Sequence, residues 1–237
     1  MAIVDGWAQL LGKKLSPEEV MRLSGRGARS SVGQFGYFTG GFLVDAGHDR
    51  RHEPLPFGTG SSFNTGSPFS IGSIVAREEF PAEWGWWLIS PQGELGLSGE
   101  AELQAFREMS PIPRQTTDRL AALTLLSILP GIRTRNFHEF AAGLDEYGRL
   151  VGSHFAAVQG SVFASPLMAR LANYLQQAGL PCVVQSSWGP TVAVPICGEY
   201  ESRFEDAWLS WPEHLRCERT WTLPLNDRAQ VKVTTGA

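Results

Sequence analysis

The chain has 237 residues, of which 43% are hydrophobic, and a formal net charge of −4 at pH 7. This length suits one large domain or two small ones with a well-buried core. No apolar run approaches the ~18 residues that a membrane-spanning helix needs, and no basic stripe typical of nucleic-acid binding is present. We therefore expect no membrane partner and no nucleic-acid partner.

Three cysteines, Cys182, Cys197 and Cys217, are too few and too widely spaced for a metal cage or a disulfide framework. Residues 1–12 (MAIVDGWAQLLG) have the pattern of an amphipathic helix and lack the basic leader and cleavage site of a signal peptide. We therefore expect free thiols and a cytoplasmic location.

The first third of the chain begins with a strong helix start. Ser16 can cap a helix that runs to about Ser24, because Pro17 suits the first turn and Glu19 completes a capping box. A glycine-rich stretch over 25–41 and a short strand at 42–44 follow. Residues 49–70 are rich in Gly, Ser and Pro, which predicts a long loop.

The remaining elements predict an α+β domain. Strands are expected at 84–90, 181–185, 191–197 and 220–225, and helices at 117–129, from Asn136, from Ser165 to Gly179, and at 201–209. The helix from Asn136 carries an apolar stripe expected to be core: Phe137, Phe140, Leu144, Tyr147, Val151, Phe155 and Val158. This order fits an antiparallel sheet covered by helices on one face, with a domain boundary that separates 1–80 from 81–237.

The first candidate site is RLSGRGARSSVGQFG at 22–36. Its glycines let backbone approach a ligand closely, and its arginines and serines are donors that suit phosphate oxygens. The spacing is not that of a Walker loop, since no Gly-Lys-Ser/Thr follows. A glycine-rich turn with solvated arginines is the alternative interpretation.

The second candidate is the predicted hairpin turn QSSWGPT at 185–191. It carries three hydroxyls, an amide and an indole within seven residues, and such turns can direct backbone N–H groups at an anion. A plain hairpin turn is the alternative. Because a turn residue buries little core, we expect Trp188→Ala and Ser187→Ala to impair turnover without unfolding the protein.

Metal ligation and hydrolysis have less support. Asp145 and Glu146, beside the apolar stripe, are candidate magnesium ligands, with surface carboxylates as the alternative. The five histidines form no H-E-x-x-H motif, and no G-x-S-x-G elbow is present.

Four segments together resemble the beta-ribofuranosylaminobenzene 5'-phosphate synthase family, in the same order and with similar spacing. They are SGRGARSSVGQFGYFTGGFLVDAG (24–47), SGEAELQAF (98–106), FAAVQGSVFASP (155–166) and QSSWGPTVAV (185–194). QSSWGPT is the most specific of them. The resemblance weakens in the 49–70 loop and beyond residue 200.

The resemblance implies a GHMP-kinase-like fold, with a partial ribosomal-protein-S5-like domain at 1–80 and a ferredoxin-like domain at 81–237. It implies a decarboxylating pentosyltransferase of tetrahydromethanopterin (one-carbon) biosynthesis. This enzyme condenses 4-aminobenzoate or 4-hydroxybenzoate with phosphoribosyl pyrophosphate, releasing CO2 and pyrophosphate with Mg²⁺ assistance. Family analogy also suggests a homodimer.

Matching motifs assign phosphosugar-binding residues in both segments. The first group is Arg26, Ser30, Ser31, Gly33, Gly40 and Gly41, with Arg29 as the candidate for the benzoate carboxylate. The opposing turn contributes Gln185, Ser186, Ser187, Trp188, Gly189 and Thr191. Two such bends, far apart in the chain, are expected to close over one ribose.

One departure from the family pattern affects function. Family members carry a G-L-G-S-G-T-Q segment just before the part that matches residues 1–12, and this sequence does not contain it. A start codon assigned too late and a truncated product are the two explanations. Two other functions stay open. One is an ATP-dependent small-molecule kinase of the same fold, against which the missing loop counts because it removes the usual nucleotide anchor. The other is a non-catalytic remnant left after loss of that loop.

Overall fold

The computed structural model describes residues 1–25, 31–46, 74–97 and 99–232. The chain divides into two compact units. Unit 1 comprises Met1–Phe80 and Pro224–Ala237, and unit 2 comprises Pro81–Leu223.

Unit 1 combines short helices with an antiparallel strand pair. Its elements are α1 (Ala2–Leu10), α2 (Pro17–Ser24), α3 (Val32–Thr39), β1 (Phe42–Asp45) and β2 (Ile74–Glu78). The start of α2 is the predicted capping box: the Ser16 side chain accepts from the Glu19 N–H, and the Glu19 carboxylate accepts from the Ser16 N–H. Strand β2 was not predicted from the sequence.

Part of the glycine-rich stretch is helical, which was not predicted from the sequence. Helix α3 includes Gly33 and Gly36, and it packs on β1, where a Cβ built at Gly36 would lie 3.7 Å from Leu43 Cδ1. The helix ends at Thr39 and is followed by Gly40 and Gly41, whose φ angles of 58° and 79° are readily adopted only by glycine.

The segment that starts at Pro224 lies with unit 1, whereas the sequence analysis placed it in the second domain. Hydrogen bonds explain this position. Gly41 N donates to Leu225 O at 2.6 Å, and the Asn226 side chain exchanges two hydrogen bonds with the Phe80 backbone, at 2.7 and 2.9 Å. The returning segment is thus tied to backbone far away in the sequence.

Unit 2 is a four-stranded antiparallel sheet with helices packed against it. Its strands are β3 (Gly85–Pro91), β4 (Val184–Gln185), β5 (Val192–Ile196) and β6 (Cys217–Thr222), in the spatial order β4-β5-β3-β6. Trp87 pairs with Val194 on one side and with Trp221 on the other. The predicted antiparallel sheet is confirmed, although β6 begins and ends three residues earlier than expected.

The helices of unit 2 are longer than predicted in several places. They are α4 (Gly99–Glu108), α5 (Arg114–Leu123), a π-helical turn (Thr124–Ile128), α6 (Leu129–Arg133), α7 (Phe137–Gln159), α8 (Pro166–Gln177) and α9 (Gly198–Ser210), with a 3₁₀ turn at His214–Arg216. Helices α7, α8 and α9 contact β4, β3 and β5 respectively. Within the described ranges, no helix is both long enough and apolar enough to cross a membrane.

Helix α7 starts as predicted, because the Asn136 side chain accepts from the Glu139 N–H. Its apolar stripe is core only in its first turns. Phe137 and Phe140 are buried, the middle of the stripe is half-buried, and Val158 is 38% exposed. The expectation that the whole stripe is buried was therefore wrong at its carboxy-terminal end.

Candidate functional site

The turn between β4 and β5 forms as the sequence predicted. Ser186 N donates to Thr191 O at 2.9 Å, and Gly189 N donates to Ser186 O at 3.1 Å. Between them Ser187 has a φ of 54°, a left-handed conformation that is uncommon for a residue with a Cβ. The turn thus has a defined shape and contains one strained residue.

Trp188 is the main packing residue of this turn, with only 4% of its surface exposed. Its ring centroid lies 4.5 Å from that of Phe155 and 5.1 Å from that of Phe106. The expectation that the turn buries little core was therefore wrong, because helices α4 and α7 supply an aromatic pocket. Phe106, Phe155 and Trp188 come from three of the four segments that carry the family resemblance.

Gln185 joins the turn to the segment that follows α7. Its Oε1 accepts from Ala164 N at 2.6 Å, and its Nε2 donates to Gln159 Oε1 at 3.0 Å and to Ser187 O at 2.8 Å. Two of the matched segments are therefore in direct contact through one side chain.

Two further contacts fix the base of the turn. The hydroxyls of Thr191 and Ser90 lie 2.7 Å apart, so Thr191 is hydrogen-bonded to β3. A Cβ built at Gly96 would lie 2.7 Å from Gly189 Cα and 2.8 Å from Trp188 O, so only glycine fits there. Neither Ser90 nor Gly96 was predicted from the sequence, because both contacts bridge about a hundred residues of chain.

Several polar groups of the turn are exposed or have no acceptor within the described residues. Ser186 and Ser187 are exposed. In the part of the chain that the structure describes, the backbone N–H groups of Ser187 and Trp188 and the Trp188 Nε1 have no acceptor. Consecutive N–H groups around a left-handed residue form the kind of concavity that binds anions.

The first candidate segment lies in unit 1. Arg26, Arg29 and Ser30 fall outside the described residues. Ser31 is buried at the start of α3, and its N–H donates to Asp45 Oδ2 at 2.8 Å. Gly33 faces open space, since a Cβ there would meet nothing within 4 Å.

Gly40 and Gly41 have packing roles in unit 1. A Cβ built at Gly40 would clash with the backbone of 225–227, and one built at Gly41 would lie 2.6 Å from Glu78 O. The structure describes the two candidate segments in separate units, so a cleft shared by them remains a prediction.

Asp145 and Glu146 do not fit the predicted magnesium role as they are arranged. Asp145 Oδ1 accepts from Gln176 Nε2 and Val183 N, and Oδ2 accepts from Arg149 Nε. Both oxygens of Glu146 accept from Arg119 at 2.6 Å, and these hydrogen bonds lower the pKa of Glu146. All four carboxylate oxygens are thus used by protein donors, and the described residues contain no His/Cys/Asp/Glu cluster suited to a metal ion.

Comparison of the sequence with known proteins supports the resemblance. No protein-family model matches. A beta-ribofuranosylphenol 5'-phosphate synthase of Methanothermobacter thermautotrophicus is 31% identical over 187 residues, which are 78% of this chain and 54% of the relative. Proteins of the same name from Methanocaldococcus jannaschii and Archaeoglobus fulgidus are 27% and 26% identical over 78% and 81% of this chain, and over 53% and 56% of their own lengths. The chain spans about half the length of these curated relatives.

Solved structures define the fold. A complex described as MDDEF with MVAPP, AMPPCP and magnesium matches 92% of this chain and 61% of its own, with a TM-score of 0.58 and 18% identity. Mevalonate diphosphate decarboxylase from Staphylococcus aureus matches 93% of this chain and 61% of its own, with a TM-score of 0.58 and 14% identity. Homoserine kinase from Cytophaga hutchinsonii matches 94% of this chain and 62% of its own, with a TM-score of 0.51 and 12% identity. The chain therefore has a GHMP-kinase fold, and its sequence is similar to beta-ribofuranosylphenol 5'-phosphate synthases over 78% of its length.

Proposed function

We propose that this chain carries the phosphosugar-binding turn of a decarboxylating pentosyltransferase in tetrahydromethanopterin biosynthesis. The substrates would be phosphoribosyl pyrophosphate and a 4-substituted benzoate, and the products an arylated ribose phosphate, CO2 and pyrophosphate. The observation that carries the proposal is the 31% identity to a beta-ribofuranosylphenol 5'-phosphate synthase. The packing of three matched segments around Trp188 supports it.

The proposed reaction forms one bond and breaks two. The ring carbon that bears the carboxylate forms a bond to C1 of the ribose, while the bond from C1 to pyrophosphate breaks and its electron pair leaves with pyrophosphate. The bond to the carboxylate then breaks, its electrons restore the aromatic ring, and CO2 leaves. Positioning of the acid against an oxocarbenium-like centre is expected to matter more than a strong base.

The turn offers the donors that this chemistry needs. The hydroxyls of Ser186 and Ser187 and the N–H groups of Ser187 and Trp188 would bind phosphate oxygens, where negative charge accumulates as pyrophosphate leaves. The proposed partners from the other segment are Arg26, Arg29 and Ser30, together with Ser31, Gly33, Gly40 and Gly41.

Magnesium is the proposed cofactor, since a solved neighbour of the same fold contains it together with AMPPCP. The ion would neutralise charge on the pyrophosphate. Because the Asp145 and Glu146 carboxylates are already bonded to protein donors, we assign its protein ligands to neither.

The name of the curated relatives contains phenol and so favours 4-hydroxybenzoate as the acceptor over 4-aminobenzoate. Incubating the protein with phosphoribosyl pyrophosphate, Mg²⁺ and each carboxyl-labelled acid, alone and in competition, tests both reaction and acceptor. Labelled CO2 that depends on phosphoribosyl pyrophosphate is the expected result. No label release and no phosphoribosyl pyrophosphate binding by calorimetry would contradict the proposal.

A kinase of the same fold is the second candidate, and the AMPPCP-containing neighbour favours it. ADP release from ATP in the presence of a small alcohol, without CO2 from either acid, would support the kinase. A non-catalytic binding protein is the third candidate. Binding of phosphoribosyl pyrophosphate without turnover would support it.

Cytoplasmic location and a homodimer complete the proposal. The three cysteines are free, as expected for a reducing compartment. Analytical ultracentrifugation tests the dimer directly.

A further inference from the structure

The side chains of Gln159 and Gln185 form a pair in which every amide atom is used. Gln185 bonds to Ala164 N, Gln159 Oε1 and Ser187 O, as described above. The second glutamine continues the network, since Gln159 Nε2 donates to Ser161 O at 2.8 Å and to Val162 O at 2.9 Å. We call these two residues the glutamine clamp.

The clamp links a rigid element to the turn. Gln159 is the last residue of α7, a helix of 23 residues whose first turns bury Phe137, Phe140 and Ala141. From this position its amide holds the carbonyls of the following loop, and through Gln185 it reaches the carbonyl of Ser187. Ser187 is the residue with a φ of 54°, a conformation that persists only when its surroundings impose it.

The Gln185 amide has no donor left for a phosphate oxygen, because both Nε2 hydrogens are engaged by protein groups, and its Oε1 already accepts from Ala164 N. This differs from the direct phosphosugar contact that motif matching assigns to Gln185. We propose that Gln159 and Gln185 are positioning residues, which set the conformation of Ser187 and thereby the affinity of the turn for the phosphosugar. This inference rests on the proposed function.

The test uses neutral replacements of similar length, so that no charge is added near a phosphate. Gln159→Met, Gln185→Met and the double variant are compared with Gln177→Met, whose side chain is exposed on α8. Each clamp variant is expected to raise KM for phosphoribosyl pyrophosphate about tenfold, the loss expected for one well-formed hydrogen-bonded contact. In the same clamp variants, KM for the benzoate is expected to stay within about twofold of wild type. The control variant Gln177→Met is expected to keep the wild-type KM for both substrates.

The double variant reports whether the two residues act together. If the two residues act as a clamp, the double variant should raise KM for phosphoribosyl pyrophosphate about as much as either single variant does. Independent contacts predict about a hundredfold rise in that KM. A purely structural role predicts a lower melting temperature with an equal effect on both substrates.

The outcomes separate this inference from the function on which it rests. If wild type releases labelled CO2 and the clamp variants have the wild-type KM for phosphoribosyl pyrophosphate, the positioning role of the two glutamines is refuted. The proposed pentosyltransferase activity is then unaffected. The hundredfold additive result also refutes the clamp. If wild type neither turns over nor binds phosphoribosyl pyrophosphate, the proposed function fails and this inference fails with it.

Discussion

The indole ring of Trp188 packs against the phenyl ring of Phe155 with their centroids 4.5 Å apart. Phe106 contacts both rings, at 5.1 Å from Trp188 and 6.3 Å from Phe155. Three segments that are far apart in the sequence thus share one aromatic cluster within unit 2. Packing of Trp188 against the other two rings holds the turn in place, and it explains why a turn with exposed serines also contains a buried tryptophan.

Replacing Trp188 with alanine is expected to destabilise unit 2. Removing a buried tryptophan leaves a cavity between Phe106 and Phe155, which costs about 3–5 kcal/mol of unfolding free energy. Urea denaturation followed by circular dichroism measures the loss. Trp7→Ala is the matched control, because Trp7 is 60% exposed on α1 and its removal should cost under about 1 kcal/mol.

Trp188→Phe separates packing from hydrogen bonding at this position. Phenylalanine keeps an aromatic ring in the cluster but lacks the indole N–H, which has no partner among the described residues. If a ligand oxygen accepts from that N–H, this variant should fold with most of its stability and lose about tenfold in phosphosugar affinity. Equal affinity of wild type and Trp188→Phe in calorimetry would assign the indole to packing alone.

Two substitutions at Ser187 should differ in their effect on stability and should both weaken binding. Ser187→Gly removes a Cβ from a left-handed residue and is expected to raise the unfolding free energy by up to about 1 kcal/mol. Ser187→Ala keeps the strain, so its stability should stay within about 0.5 kcal/mol of wild type. Both variants lack the hydroxyl, and both should bind phosphoribosyl pyrophosphate more weakly. Unchanged affinity in both would remove the hydroxyl from the proposed site.

Local signals account for the elements that could be predicted. Ser16, Asn136 and Ser165 each cap a helix within three residues of sequence, and the structure contains all three hydrogen bonds. Helix α3 was missed for the opposite reason. Its glycines disfavour a helix locally, and packing on β1 stabilises it instead.

The candidate site was predictable as a list of residue types but not as an arrangement. QSSWGPT stood out by its composition, and the turn formed where expected. The burial of Trp188 depends on Phe106, which is 82 positions away, and the role of Gln185 depends on Gln159 and Ala164. Such partners cannot be read from a single sequence, since their proximity arises only when β4 pairs with β5 and packs on α7.

Gly33 and Gly152 form a contrasting pair of glycine positions in helices. A Cβ at Gly33 meets nothing within 4 Å, so Gly33→Ala should raise the unfolding free energy by about 0.5–1 kcal/mol through better helix propensity. A Cβ at Gly152 would lie against the backbone oxygen of Val162, so Gly152→Ala should cost about 1–3 kcal/mol. Thermal unfolding of the two variants measures both values.

The same Gly33 variant tests the first candidate segment. If the phosphosugar approaches the backbone at Gly33, the added methyl group should weaken phosphoribosyl pyrophosphate binding in a protein that is at least as stable as wild type. A Gly33→Ala variant with unaltered affinity would exclude Gly33 from the binding surface.

Alkaline pH is expected to weaken unit 1 through Tyr37. The Tyr37 hydroxyl donates to Asp5 Oδ2 at 2.8 Å, and Arg228 Nη2 donates to the same oxygen at 2.9 Å. Burial, followed by the hydrogen bond with Asp5, raises the pKa of Tyr37 from 10.0 to about 12. The unfolded chain therefore releases this proton at lower pH than the folded chain does. The resulting stabilisation is complete below about pH 10 and is lost as the pH rises from about 10 to about 12.

Burial also raises the pKa of Tyr147 and Tyr200, so the difference between wild type and Tyr37→Phe isolates the effect of Tyr37. The difference in urea midpoint between the two proteins should be constant from pH 7 to about pH 10 and should shrink at higher pH, because phenylalanine has no proton to lose. Asp5→Asn provides the complementary control, since it replaces the carboxylate that holds the hydroxyl proton. A wild-type advantage that persists unchanged to pH 12 would mean that the hydrogen bond between Tyr37 and Asp5 does not control this titration.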